Sequence, residues 1–210
     1  MSDYSDLEVS PEVVLVRGLL EADAAFAVAI DERPASGVDP ERFKTAMRSF
    51  ATGVVIVTVE VGDRLWGLTI NSCCSISARP PKVLISLAHT ASCREPLLTR
   101  GRFGLSILAE GQRELAELGA VPGGRKEVDV FAERLEAGGP ATIAGALAHL
   151  DCSVSETFEV ADHTLVIGTV EHAIVDEGGE APPDPLIYYD RTFRRLGEPL
   201  ERDSRGGGTR

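Results

Sequence analysis

Aromatic residues make up only 5% of the 210 residues, so a core must be filled mainly by Val, Ile, Leu and Ala. Bases are outnumbered, 21 Lys and Arg against 33 Asp and Glu, for a formal net charge of −12. A chain this acidic repels nucleic-acid phosphate and anionic lipid, which argues against both as partners. The four cysteines, Cys73, Cys74, Cys93 and Cys152, include no C-x-x-C pair, and two adjacent thiols are poor disulfide partners. The N-terminus lacks the basic region and apolar stretch of a secretory signal. No apolar run approaches the roughly 20 residues that span a bilayer. A cytoplasmic protein with reduced thiols and no membrane contact is the expectation.

Catalytic signatures are missing as well. The chain has no G-x-G-x-x-G, no G-x-x-x-x-G-K-[ST], no G-x-S-x-G and no H-E-x-x-H. Rossmann-turn dinucleotide binding, P-loop hydrolysis, α/β-hydrolase chemistry and zinc proteolysis therefore lose their usual support. His89, His149, His163 and His172 are not spaced as a metal cluster, so no metal site is expected. Asp162-His163 has no serine in a nucleophile elbow to serve and reads as a turn pair.

What is present is unevenly distributed. Residues 1–40 carry nine acids and two bases, so most of the net charge sits in a leader. Within it, Ser10-Pro11-Glu12 reads as a helix start, followed by apolar residues at helical spacing. Residues 1–38 are read as an acidic helical extension, 39–198 as the main domain, and 199–210 as a polar, glycine-rich disordered tail. In the main domain Asp39-Pro40-Glu41 starts a short helix on which Phe43, Met47 and Phe50 share a face. The β-branched run from Gly53 to Glu60, a Gly62-Asp63 turn and Leu65 to Ser72 predict a hairpin. Arg79-Pro80-Pro81 breaks the chain before a strand over 83–88. Further strands are predicted over 103–108, 146–160, 164–175, 186–189 and 192–196, with helices over 96–99 and 112–118. Many short strands with few helices predict a mainly β barrel or sandwich with flanking helices.

A polar cluster follows the second strand: Thr69, Asn71, Ser72, Ser75 and Ser77, ending at Pro80-Pro81. Short hydroxyls and free backbone N–H groups suit a phosphate or a heterocycle edge. The series Phe50-Ala51-Thr52-Gly53-Val54, Gly67-Leu68-Thr69-Ile70-Asn71-Ser72, Ser75-Ile76-Ser77 and Pro80-Pro81 closely resembles the flavin reductase-like family. The likeness continues through Gly101-Arg102-Phe103, Gly145-Ala146-Leu147-Ala148, Asp162 to Gly168 and Leu186-Ile187-Tyr188-Tyr189, covering about residues 41–196. The chain departs from the family pattern at Cys73, where an aromatic residue is frequent, and at Ala161, where a glycine usually precedes the Asp-His pair.

The resemblance implies an FMN-binding split β-barrel and an NAD(P)H-dependent flavin reductase. It implies FMN or FAD as cofactor, NADH or NADPH as cosubstrate, a homodimer, and a partner monooxygenase reached by diffusible reduced flavin. By the same resemblance Thr52, Gly53 and Val54 line one side of the flavin. Asn71, Ser72, Cys73 and Cys74 meet its ring edge, and Ser75, Ser77, Thr90 and Ser92 meet its ribityl chain and phosphate. His163, which the sequence places in a loop, Tyr188 and Arg191 fall to the nicotinamide nucleotide. No acid–base residue is required, because hydride transfer rests on positioning. A non-enzymatic flavin- or heme-binding split barrel is the alternative.

Overall fold

The computed structural model describes residues 37–122, 126–133, 141–175 and 183–198. The expected leader helix, the glycines of the Pro122–Gly124 loop, most of the acidic loop after Val175 and the polar tail lie outside these residues. The elements are α1 (Pro40–Met47), β1 (Thr52–Gly53), β2 (Val55–Val61), β3 (Arg64–Ile70), β4 (Cys73–Ala78) and β5 (Pro81–Ala88). Next come α2 (Arg94–Arg100), β6 (Arg102–Ile107), α3 (Arg113–Ala120), β7 (Ala132–Glu133) and β8 (Thr142–Ile143). The last are β9 (Ala148–Val160), β10 (His163–Val175), β11 (Ile187–Tyr189) and β12 (Thr192–Arg194).

The strongest sequence signals become the centre of the molecule. Val55 to Val59 are buried on both faces of β2, as a continuous β-branched run requires. β2 turns into β3 through Gly62-Asp63, and Gly62 has φ +63°, a conformation that suits a residue without Cβ. Alternation is clean in β5 and the first half of β10, where buried and half-buried residues follow one another. Expected and observed helices differ mainly at their ends. α1 starts where Asp39 Oδ1 accepts the Glu41 N–H, but it stops at Met47, so Phe50 is not on the helix. Phe43, Met47 and Phe50 are all exposed.

Seven strands form one antiparallel sheet in the order β3-β2-β6-β9-β10-β5-β4. Laid flat, such a sheet would hold its two edge strands about 29 Å apart. Yet β3 and β4 are consecutive in the chain, joined only by Asn71 and Ser72. The three Cα steps from Ile70 to Cys73 reach about 11 Å at most. The sheet must therefore curl until its edges meet at that link. They do not pair with each other, because Ile70 pairs with Val55 on β2 whereas Cys73 pairs with Ile85 on β5, at the other end of the sheet. A barrel closed at one point and parted beyond it is the result.

Two apolar clusters fill the two sides of this curved sheet. The inner one holds Val57, Ile85, Leu87, Leu97, Phe103, Leu105, Cys152 and Val166. The outer one holds Ile56, Leu108, Leu115, Ala116, Val128, Ile143 and Leu186, and it seats α3 against β2 and β3. A second small sheet, β1-β11-β12, continues from β2.

One expectation about a break is corrected. Arg79-Pro80-Pro81 is a tight β4–β5 turn with a cis Arg79–Pro80 bond, and Pro81 already belongs to β5. The polar cluster before it is divided: Thr69 lies in β3, Asn71 and Ser72 form the link, and Ser75 and Ser77 belong to the edge strand β4.

Candidate functional site

The link that closes the barrel gathers most of the candidate flavin residues. Because Val55 pairs with Ile70, Val54 and the β1 residues Thr52 and Gly53 stand beside Asn71. Ser72, Cys73 and Cys74 follow directly into β4. Asn71, Ser72, Cys74 and Ser75 are exposed, Cys73 is half-buried, and Val54 belongs to the outer core. Nothing within 4 Å would meet a Cβ at Gly53, so a flat ring can approach its backbone. Thr52 Oγ1 is buried with no hydrogen-bond partner, a donor held in place without an acceptor.

The register divides the candidate hydroxyls. Ser75 and Ser77 stand opposite Val83 and Lys82, near the start of β5. Thr90 and Ser92 follow its other end, Ala88, about 20 Å from Lys82 along the strand. The four hydroxyls expected at the ribityl chain and phosphate thus come from the two ends of β5, Ser75 and Ser77 at one and Thr90 and Ser92 beyond the other. Ser77 has a local task, since its Oγ accepts the Arg79 N–H at 3.2 Å in the β4–β5 turn. Ser92 Oγ is buried without a partner, whereas Thr90 is exposed.

His163 is not in a loop; it opens β10 directly after the two-residue Ala161-Asp162 turn and pairs with Ala88 and Val160. Leu84, Ser86 and Ala88 share one half-exposed sheet face with Ile167, Leu165 and His163. Ser86, absent from the sequence-based set, lies at its centre. Its N–H donates to Ser72 O at 3.1 Å, and its own C=O accepts the Ser72 hydroxyl at 2.8 Å. Ser72 therefore offers a ligand lone pairs rather than a proton. From Ser72, His163 is two strands across and two residues along, about 12 Å. The His163 Nδ1–H donates to Asp162 Oδ1 at 2.7 Å. That bond, the Asp162 backbone N–H and the imidazole charge hold the Asp162 carboxyl below its ordinary value.

Tyr188 and Arg191 go elsewhere. Tyr188 pairs with Thr52 and packs on Phe193 with ring centroids 5.4 Å apart. Arg191 is exposed in the β11–β12 turn at φ +58°. Among the described residues no strand pairing joins either to His163. Arg48, also unforeseen, has a buried Nε without a partner, and its C=O accepts the Asp190 N–H at 3.2 Å.

The thiols are all free. Desolvation pushes Cys73 up to about 11, with the Cys74 sulfur adding to the effect. At neutral pH it is a neutral, space-filling thiol and not a nucleophile. Desolvation likewise raises Cys93 to about 11 and Cys152 to about 12. Among the described residues no three His, Cys, Asp or Glu converge as metal ligands, and no helix is long and apolar enough to cross a membrane.

A split barrel whose parted edge is lined by hydroxyls and open backbone, with no nucleophile–base pair beside it among the described residues, is a scaffold suited to holding a flat cofactor. The chain belongs to the flavin reductase-like family, whose domain model, "Flavin reductase like domain", matches residues 47–197. It is 35% identical over 172 residues to a flavin reductase (NADH) of Kitasatospora aureofaciens, covering 80% of this chain and 86% of that one. It is 36% identical over 156 residues to the reductase component of a Thermus thermophilus 4-hydroxyphenylacetate 3-monooxygenase, covering 74% and 96%. Among solved structures, an NADH:FAD oxidoreductase of Streptomyces globisporus, in complex with NAD and FAD fragments, superposes with a TM-score of 0.67. That likeness has 32% sequence identity and covers 78% of this chain and 98% of the other. The open face at Gly53 and the unsatisfied hydroxyls of Thr52 and Ser92 fit a ligand with a flat ring and polar appendages.

Proposed function

We infer that this protein is an NADH-dependent flavin reductase that takes FMN or FAD and supplies reduced flavin to a partner monooxygenase. The observation that carries this reading is the closure of the barrel at Asn71-Ser72. It brings the open backbone of Thr52-Gly53 next to the exposed start of β4, with His163 on the adjoining sheet face. A flavin bound there accepts a hydride from the nicotinamide, and the protein's task is alignment rather than proton transfer.

The roles of individual residues follow from their places. Thr52, Gly53 and Val54 border the ring on one side, and Asn71, Ser72, Cys73 and Cys74 border it on the other. Their N–H and amide donors suit a ring that gains negative charge on reduction. Ser75 serves the polar appendage, and His163 serves the nicotinamide nucleotide. Residues 39–198 form the reductase domain, and the bare edge of β4 with exposed Ile76 suits a homodimer contact. A cytoplasmic setting, where NADH is at hand, suits the neutral thiols.

Steady-state oxidation of NADH and NADPH by the purified protein, with FMN and with FAD, tests the reading. The expected result is turnover with NADH and release of reduced flavin that a second enzyme can use. A folded sample inert with all four combinations refutes it. A monodisperse monomer in light scattering refutes the dimer.

A further inference from the structure

A connected polar cluster lies where β5, α2, β9 and β10 meet, and Glu159 is its centre. Glu159 Oε1 accepts the Arg94 Nη2–H at 2.8 Å, and Oε2 lies 2.7 Å from His89 Nε2, which donates to it. The Thr164 hydroxyl donates to the same carboxylate at 3.0 to 3.1 Å while accepting the Arg94 Nε–H at 2.7 Å. Thr164 is fully buried, so the cluster has an anchored end. His89 also grips the turn by its backbone, its N–H donating to Asp162 O at 2.9 Å. The other charges near the cluster are Glu95, 3.3 Å from Arg94 on its own helix, and, across the turn, the Asp162 carboxylate paired with His163 on the opposite face of the sheet. Desolvation pushes the Glu159 carboxyl up, but hydrogen bonds from Thr164, Arg94 and His89 outweigh it and keep the group ionised at neutral pH.

The turn these residues brace needs bracing. Ala161 sits at φ +51°, in the left-handed region that disfavours a residue with a Cβ. The His163 side chain is 43% exposed, and among the described residues its hydrogen-bond partner is the adjacent Asp162. Its place in space is therefore inherited from the backbone of the turn. Glu159 and Thr164 are cross-strand partners one step inside the His163–Val160 pair, and alternation points their side chains to the face opposite His163.

We propose that Glu159, with His89 and Arg94, is a positioning unit that fixes the β9–β10 turn and thereby His163, without touching the dinucleotide. The proposal rests on the assignment of His163 to the nicotinamide side. The cluster's hydrogen bonds run to Thr164 and to the backbone of the turn and none runs to Asn71–Ser75, while Thr90 and Ser92 lie between His89 and Arg94 in the chain, so flavin affinity is read beside KM for NADH. Residues about 70 positions apart in sequence (Arg94 and Glu159 are 65 apart) are joined into a single support.

The test uses the full chain carrying Glu159→Ala, Glu159→Gln, His163→Ala and the Glu159→Ala/His163→Ala double variant. KM for NADH, kcat and flavin affinity by fluorescence quenching are read on each. Glu159→Ala is expected to raise KM for NADH about tenfold, with flavin affinity and kcat changed less than about threefold. Glu159→Gln, which keeps a carbonyl acceptor for Thr164 and Arg94, recovers most of that loss. The double variant is no worse than His163→Ala alone, since a residue that acts through His163 has nothing left to position. Equal loss of flavin affinity in Glu159→Ala, or additive effects in the double variant, overturns the proposal. If His163→Ala leaves KM unchanged, the nicotinamide assignment itself fails, whatever Glu159→Ala does. His89→Gln, at an exposed position, gives the same reading should Glu159→Ala not fold.

Discussion

The two edge strands of the main sheet have been treated in opposite ways. The outer edge of β3 is covered: Gly67 donates to Lys126 O at 2.6 Å, Val128 N–H donates to Leu65 O at 2.9 Å, and Trp66 bridges to Glu127. The α3 helix lies over it, with the Thr69 hydroxyl donating to Ala116 O at 2.7 Å. Even the covering segment is pinned, because buried Lys126 donates through Nζ to Gly119 O at the end of α3. Among the described residues β4 has no such cover in the sheet, and its sequence Cys-Cys-Ser-Ile-Ser-Ala carries neither charge nor proline to blunt it. A neutral, bare edge is a hazard unless something else occupies it. One edge of the sheet is thus built for stability, and the other is the one the proposed flavin site would use.

The sharpest way to break this comparison is to overfill the covered edge. A Cβ at Gly67 would lie 2.7 Å from Val128 Cγ1 and 3.3 Å from Ile56 Cγ2, both in the outer core. Gly67→Val should cost about 2–3 kcal/mol, because β3 and the Lys126–Val128 segment must part to admit it. Urea unfolding measures this, and a loss below about 0.5 kcal/mol would show that the cover is loose. On the bare edge the pattern reverses. Ser75→Leu adds bulk to an exposed side chain, so stability changes by less than about 0.5 kcal/mol. Flavin affinity should nevertheless fall about tenfold or more, through exclusion and loss of a hydroxyl donor. Unchanged affinity in a fluorescence titration would remove Ser75 from the site.

The contrast also explains which features were legible in the sequence. β2, β5 and β6 declare themselves because their burial produces β-branched runs or strict alternation. β4 did not, because a strand exposed along most of its length has no apolar face to write a period. The residues of the closing link were legible as an ordered series, yet the separation of Ser75 and Ser77 from Thr90 and Ser92 depends on register. So does the placement of Ser86, an unremarkable serine in an alternating strand. The Glu159 cluster was illegible for another reason. Its members are drawn from three segments that only the barrel brings together, and each reads alone as a solvated charge.

A smaller effect separates the two sides by pH. His149 is buried on the outer face of β9, with Nδ1 2.8 Å from Ser106 Oγ and Nε2 unpartnered. Desolvation lowers its pKa below the ordinary 6.5, although the Asp151 carboxylate opposes this. A histidine kept neutral when folded binds its proton more readily when unfolded, so stability should fall as pH drops below about 6.5. The exposed turn responds in a different window. Glu159 is held below its ordinary 4.5, and Asp162 below its ordinary 3.8, so their contributions persist above those values and vanish in stronger acid. Urea unfolding across pH should show the first slope in the parent protein and lose it in His149→Gln. A slope that persists in that variant would assign it to other groups.

The smallest expected change is a gain. Ala161 occupies the left-handed region at φ +51° on the open side of the molecule, where the turn leads into His163. Glycine relieves the clash of Cβ with the backbone, worth about 1–2 kcal/mol in that conformation, but it also loosens the unfolded chain by about 0.4–1 kcal/mol. The difference predicts that Ala161→Gly stabilises the protein by about 0.5 kcal/mol, since the relief exceeds the entropic loss. If the Glu159 cluster already fixes the turn, the gain appears in unfolding measurements alone, and KM for NADH is unchanged. A raised KM would mean that Ala161 itself restrains His163, and that the turn's rigidity comes from its own backbone rather than from the side chains that grip it.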